Sequence, residues 1–113
     1  MNKNELNSIF EKYREGALGT SDSDPKKANK WHTEMHKAYK LLRKTPEGRE
    51  LILSLLNADS PHIRCWAAAH SLEWKPELAK RTLELIRDSE GTCSFDAEMT
   101  LREYAKGRLT FDY

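Results

Sequence analysis

Four histidines and two cysteines are the side chains here best suited to chemistry. His32 and His36 stand four apart, a spacing at which two imidazoles on one helix can share a metal. Glu34 lies between them, but the order His-x-Glu-x-His is not the His-Glu-x-x-His of a metalloprotease. Stepped at about 100° per residue, Glu34 falls about 200° around the helix from His32, on the wrong side to act as its base. The pair is therefore expected to be two partly exposed helical histidines. His62 and Cys65 are three apart, within reach of each other, yet they form no recognised ligand set. His70 falls on an apolar face and is expected as a hydrogen-bonded histidine at the core edge. Asp88, Asp96, Glu98 and Glu103 each have an ordinary solvated place on a helix, and Asp96 suits the positive end of a helix dipole. There is no Gly-rich phosphate loop and no Gly-x-Ser-x-Gly elbow. No catalytic residue, metal or cofactor is expected, and the chain is read as a non-enzyme.

Two surfaces remain as binding candidates. Lys26, Lys30, Lys37, Lys40 and Lys44 fall within about 80° of a helical wheel, opposite Trp31, Met35, Ala38 and Leu42. Such a stripe can neutralise a nucleic-acid backbone, although it carries no arginine or aromatic side chain to read bases. It is also the normal solvated back of an amphipathic helix. The second surface is acidic. Residues 1–58 hold 11 Lys+Arg against 8 Asp+Glu, and residues 59–113 hold 8 against 10, so the chain is basic early and acidic late. Glu73, Glu84, Asp88, Asp96 and Glu98, with Trp74 at a turn, form the expected protein-facing set.

The elements that carry these residues are marked by proline. Asp24-Pro25, Thr45-Pro46 and Ser60-Pro61 each put a capping oxygen before a proline at the first helical position. Lys75-Pro76 has the proline without the cap, and Ser94-Phe95-Asp96 is expected to cap a last helix. Apolar spacing then predicts six helices. Leu6, Ile9, Phe10 and Tyr13 define the first, ending near Gly16, with 17–24 a polar loop. Trp31, Met35, Ala38, Tyr39 and Leu42 define the second, and Leu51, Ile52, Leu55 and Leu56 the third. Ile63, Trp66 and Ala67 mark the fourth; Leu78, Leu83 and Ile86 mark the fifth. Phe95, Met99, Leu101, Tyr104 and Ala105 mark the sixth, stopped by Gly107 in a left-handed C-cap. The tail brings Phe111 and Tyr113, expected to pack back on the domain. Alternation of period two is absent, so no sheet is predicted.

Pro25 and Pro61 are 36 residues apart and Ser60 and Ser94 are 34 apart, the length of a two-helix repeat. A chain of 113 residues, 38% hydrophobic and 33% charged, has room for one domain spanning 1–113, with 1–24 a leading helix and loop and 25–109 the repeat core. No apolar run reaches the roughly 18 residues of a membrane span. The start, MNKNELNSIF, has no basic-then-apolar signal, and two cysteines are too few for a disulfide framework, so the cytoplasm is the expected place. Cys65 and Cys93 are expected as buried free thiols, with their pairing left open.

Residues 59–86, from Asp59-Ser-Pro-His-Ile63-Arg64 through Ala67-Ala68 to Leu83 and Ile86, resemble a HEAT repeat. Paired alanines allow close helix approach, and Arg64 is expected to reach the carboxylate or carbonyls near Asp59. Gly48-Arg49, Trp66-Ala-Ala-Ala-His70 and Ala97-Glu-Met-Thr-Leu-Arg102 resemble an uncharacterised bacterial family of short HEAT-like proteins, over about residues 25–109. The resemblance implies an all-α, HEAT-like α-α superhelix of antiparallel hairpins. It also implies a protein-binding module, an immunity protein that neutralises a contact-dependent or polymorphic bacterial toxin. The alternative is a nucleic-acid-binding repeat protein that uses the basic second helix.

Overall fold

Helix starts follow the cap chemistry of the sequence. In a computed structural model describing residues 2–111, Asp24 accepts from the Lys26 N–H at 3.0 Å. Thr45 Oγ1 accepts from Gly48 N–H at 3.0 Å, and Ser60 from Ile63 N–H at 3.4 Å. Each oxygen takes up a donor that a first helical turn otherwise leaves bare. The helices are α1 (Lys3–Gly19), α2 (Pro25–Leu42), α3 (Pro46–Ser54), α4 (Pro61–Ser71), α5 (Pro76–Asp88) and α6 (Ser94–Ala105), with a short 3₁₀ turn at Leu55–Asn57. The fold class is all-α, with no strand among the described residues. No helix is long and apolar enough to cross a membrane. Lys75 makes no side-chain cap, as expected, and Gly107 ends the last helix at φ 70°.

The helices fall into two compact units that divide after Ser54. In the first, α1 packs along α2, and α3 packs on both. Tyr13, Ala17, Met35, Tyr39, Leu42 and Ile52 are fully buried at its centre. The first helix does not stop near Gly16: it runs on to Gly19, and the predicted loop over 17–24 shrinks to 20–24. The physical reason is packing. A Cβ on Gly16 would lie 2.7 Å from Met35 Cβ and 2.8 Å from the Trp31 carbonyl oxygen, and one on Gly19 would enter the Trp31 ring. These glycines let α1 lie against α2; they do not terminate it. The leading helix is thus the main partner of α2 in this unit.

In the second unit α4 packs against the 3₁₀ turn and α5, and α6 packs on α5 and α4. Its centre holds Ala67, Ala68, Leu72, Ala79, Leu83 and Ala97. The alanine pair in α4 is wholly buried, as close helix approach requires. Two local expectations are corrected. Ser94 does not cap α6: Cys93 stands at the cap position without a side-chain capping bond, and the Ser94 hydroxyl donates to the Arg87 carbonyl at the end of α5. Arg64 forms no hydrogen bond or ion pair with Asp59; its Nε is buried without a partner. Phe111 in the tail is half-buried, and Tyr113 lies outside the described residues.

Candidate protein-binding face and a buried thiol cluster

An amphipathic helix aims its apolar stripe at the core, and α5 obeys: Ala79, Leu83 and Ile86 are buried. Leu78 and Leu85, two turns apart on its flank, are not; Leu85 is 68% exposed. Helix α6 departs further from the sequence pattern. Only Ala97 is fully buried, and Phe95 and Met99, expected on the core side, lie on the opposite side, with Phe95 68% exposed. Phe95 and Met99 are one turn apart, so their side chains meet along the helix and present one apolar strip.

The acidic set divides into two groups. Glu84 and Asp88 on α5 and Glu98 on α6 converge on Arg87. The Asp88 hydrogen bond, and then its charge, push the Arg87 guanidinium above its usual range, with Glu84 and Glu98 adding to it. Arg87 Nε donates to Asp88 at 2.9 Å, and Arg102 donates to Glu98 at 2.9 Å, one turn along α6. Two of the acids are thus matched by arginines of their own helices, and the face is mixed in charge where the sequence predicts an acidic one. Asp96 is exposed in the first turn of α6. Trp74 and Glu73 stand apart from all of these, in the turn after α4. The 13 residues of α5 separate that turn from the Arg87 cluster, about 18 Å at 1.5 Å per residue. Glu73 is exposed and Trp74 half-buried with its indole nitrogen inside. The six expected residues therefore do not form one patch.

Lys26, Lys30, Lys37, Lys40 and Lys44 are all exposed, opposite buried Met35, Ala38 and Leu42. Lys44 lies beyond the end of α2. His32 and His36 are partly exposed and stacked, with centroids 6.0 Å apart and planes within 5°. His70 is buried and stacks on Trp66 at 5.7 Å. Among the described residues, no group of three His, Cys, Asp or Glu side chains is arranged to hold a metal ion.

One polar cluster lies inside the second unit. Cys65 and Cys93 are both free and buried. Cys93 Sγ lies 3.3 Å from His62 Nδ1, so thiol and imidazole share a proton contact. Burial, then the neighbouring charges of Cys93 and Asp96, push the Cys65 thiol up to about 12. Burial also raises Cys93, with Asp96 adding, against the Thr92 hydroxyl and the Arg64 charge. Sequence spacing points to His62 with Cys65 but misses Cys93, which is 31 residues away from His62 along the chain. Comparison of the chain with family models, curated proteins and solved structures returned no match.

Proposed function

We propose that this chain is a protein-binding module whose contact face is the outer side of α5 and α6. The observation that carries it is the strip of Phe95 and Met99, with Leu85 and Leu78 on the neighbouring helix, left facing water. An aromatic anchor ringed by paired charges is the usual make-up of a protein hot spot. Asp96 and Glu84 at its margin favour a partner that brings cations, and the Arg87 and Arg102 pairs keep the rim polar. The resemblance of the Trp66–His70 and Ala97–Arg102 segments to HEAT-like immunity proteins supports a bacterial toxin domain as that partner.

The test is co-expression with a toxin domain, taken from a neighbouring gene where one encodes it, with surviving cells counted. Protection is expected, and Phe95→Asp is expected to reduce it at least about thirtyfold, the loss that corresponds to a hot spot of about 2 kcal/mol. Thermal unfolding of the variant controls for folding. Wild-type protein that folds but gives no protection removes the immunity reading. Protection that survives Phe95→Asp moves the contact to another face.

A further inference from the structure

We propose that Cys65 and Cys93 form a redox dithiol served by His62, which closes to an intramolecular disulfide on meeting a hydroperoxide. The grounds are positional and independent of the partner the chain binds. His62 and Cys65 are three apart on α4 and so share a face of that helix. Cys93 stands at the start of α6, which packs on α4, and its sulfur touches the His62 ring at 3.3 Å. Cys65 is buried one turn along α4 from His62, on the side of that helix whose His62 ring meets Cys93, and this puts the second sulfur in the same locality. Asp96 from α6 and Arg64 from α4 are the charged groups that act there, the first on both thiols and the second on Cys93.

Access is built into the same place. Cys93 is only 2% exposed, but it ends the connection 89–93, whose residues Ser89, Glu90, Gly91 and Thr92 are all exposed. Glu90 there holds a left-handed backbone, φ 58°, that a non-glycine residue adopts at a cost. A short exposed connection is the segment that opens most readily without unfolding the helices.

The chemistry then balances. As the Cys93 sulfur attacks one oxygen of the hydroperoxide, its proton passes to His62 Nδ1 and the O–O bond breaks. The leaving alkoxide takes that proton from the imidazolium and departs as an alcohol, leaving Cys93 as a sulfenic acid. The Cys65 sulfur next attacks the Cys93 sulfur, the S–S bond forms, the S–O bond breaks, and hydroxide leaves as water with the Cys65 proton. Two thiols and one hydroperoxide become one disulfide, one alcohol and one water. His62 is the base that lets a thiol raised by burial react near neutral pH.

The experiment exposes the folded protein to tert-butyl hydroperoxide, denatures it in an alkylating agent and measures intact and peptide masses. A species two hydrogens lighter, closed to alkylation, with Cys65 joined to Cys93 and reversed by dithiothreitol, is the expected product. Two thiols still open to alkylation, oxygen added to each sulfur separately, or dimers linked between chains would overturn the proposal. Cys65→Ser is expected to trap Cys93 as a sulfenic acid captured by dimedone. His62→Gln is expected to slow Cys93 oxidation by about 100-fold and flatten its pH dependence. An unchanged rate and pH profile in a folded His62→Gln protein would remove the histidine from the mechanism.

Discussion

Helices α1 to α3 meet through glycine and face water with lysine and two leucines, Leu18 and Leu41, whereas α4 to α6 meet through alanine and expose phenylalanine and methionine besides leucine. The interiors differ in the same sense. The first unit buries large side chains, Tyr13, Met35 and Tyr39, with Met35 against the bare backbone of Gly16; the second buries two thiols and His70. Polar chemistry sealed inside and apolar surface left outside are both departures from what stability alone selects. The two thiols and the exposed strip of Phe95 and Met99 both fall in the second unit, which carries the proposed contact face.

The largest effects are expected from one added methyl group at buried glycines of the first unit, against an exposed one of the second. At Gly48 a Cβ would collide with the backbone of Leu42, and at Gly16 with the backbone of Trp31 and Met35. Backbone cannot swing aside as a side chain does, so Gly16→Ala and Gly48→Ala are each expected to cost about 3 kcal/mol in urea unfolding. Gly91, in the second unit, meets nothing closer than Ser89 Oγ at 3.5 Å, so Gly91→Ala is expected to stay within about 0.5 kcal/mol. Equal losses at all three would show that the first unit is not held by close approach. Next in size is Phe95. Phe95→Ser should weaken partner binding by about 2 kcal/mol or more yet leave unfolding within about 0.5 kcal/mol, because the ring is already in water. A large loss of stability would mean that the ring is covered in solution.

The buried thiols give the next effect. Folding holds the Cys65 proton up to about 12, against 9.0 for an ordinary thiol. Between those values the unfolded chain has released that proton and the native one has not, so stability falls as pH rises. The slope from this group is roughly 1.4 kcal/mol per pH unit and is absent below about pH 9. Cys93, also raised, adds in the same direction. Denaturant midpoints measured from about pH 8 to about pH 10.5 should show the decline, and Cys65→Ala should flatten much of it. A native chain equally stable at both ends would place Cys65 in contact with water.

Sequence pattern announces these contrasts unevenly. The caps at Asp24, Thr45 and Ser60 can be read directly because capping is decided within three residues of each cap. Gly16 reads as a helix end because a glycine that breaks a helix and one that admits a neighbour differ only in Trp31 and Met35, beyond the local window. Phe95 and Met99 define a stripe by their spacing, but spacing does not say which way the stripe faces. With Ala97, Leu101 and Tyr104 turned inward instead, the helix offers Phe95 and Met99 to water. The His62–Cys93 contact spans 31 residues and leaves no local signal at all.

The lysines of α2 offer a smaller test of the same contrast. As the solvated back of an amphipathic helix they contribute little, so Lys37→Ala with Lys40→Ala should change stability by no more than about 0.5 kcal/mol and leave unchanged any protection measured in the co-expression test. Binding to duplex DNA at low salt, falling with a log–log slope of about −4, would instead make the first unit the functional one.

The least effect is expected at Arg87 and Asp88. The hydrogen bond from Arg87 holds the Asp88 carboxyl below its ordinary value of 3.8, and its charge adds to that. A depressed folded value means that the pair contributes above the unfolded value and that its contribution is lost as pH falls through the folded one. The relevant window therefore lies below pH 3.8. Both groups stand in water, where side-chain entropy and solvent screening cancel most of the attraction. Asp88→Asn should therefore leave the melting temperature at neutral pH within experimental scatter. Its measurable consequence should lie in the partner's association rate, through the charge at the rim of the α5–α6 face. A clear drop in melting temperature would show that the Arg87 cluster, where acids of two helices meet, braces the hairpin itself.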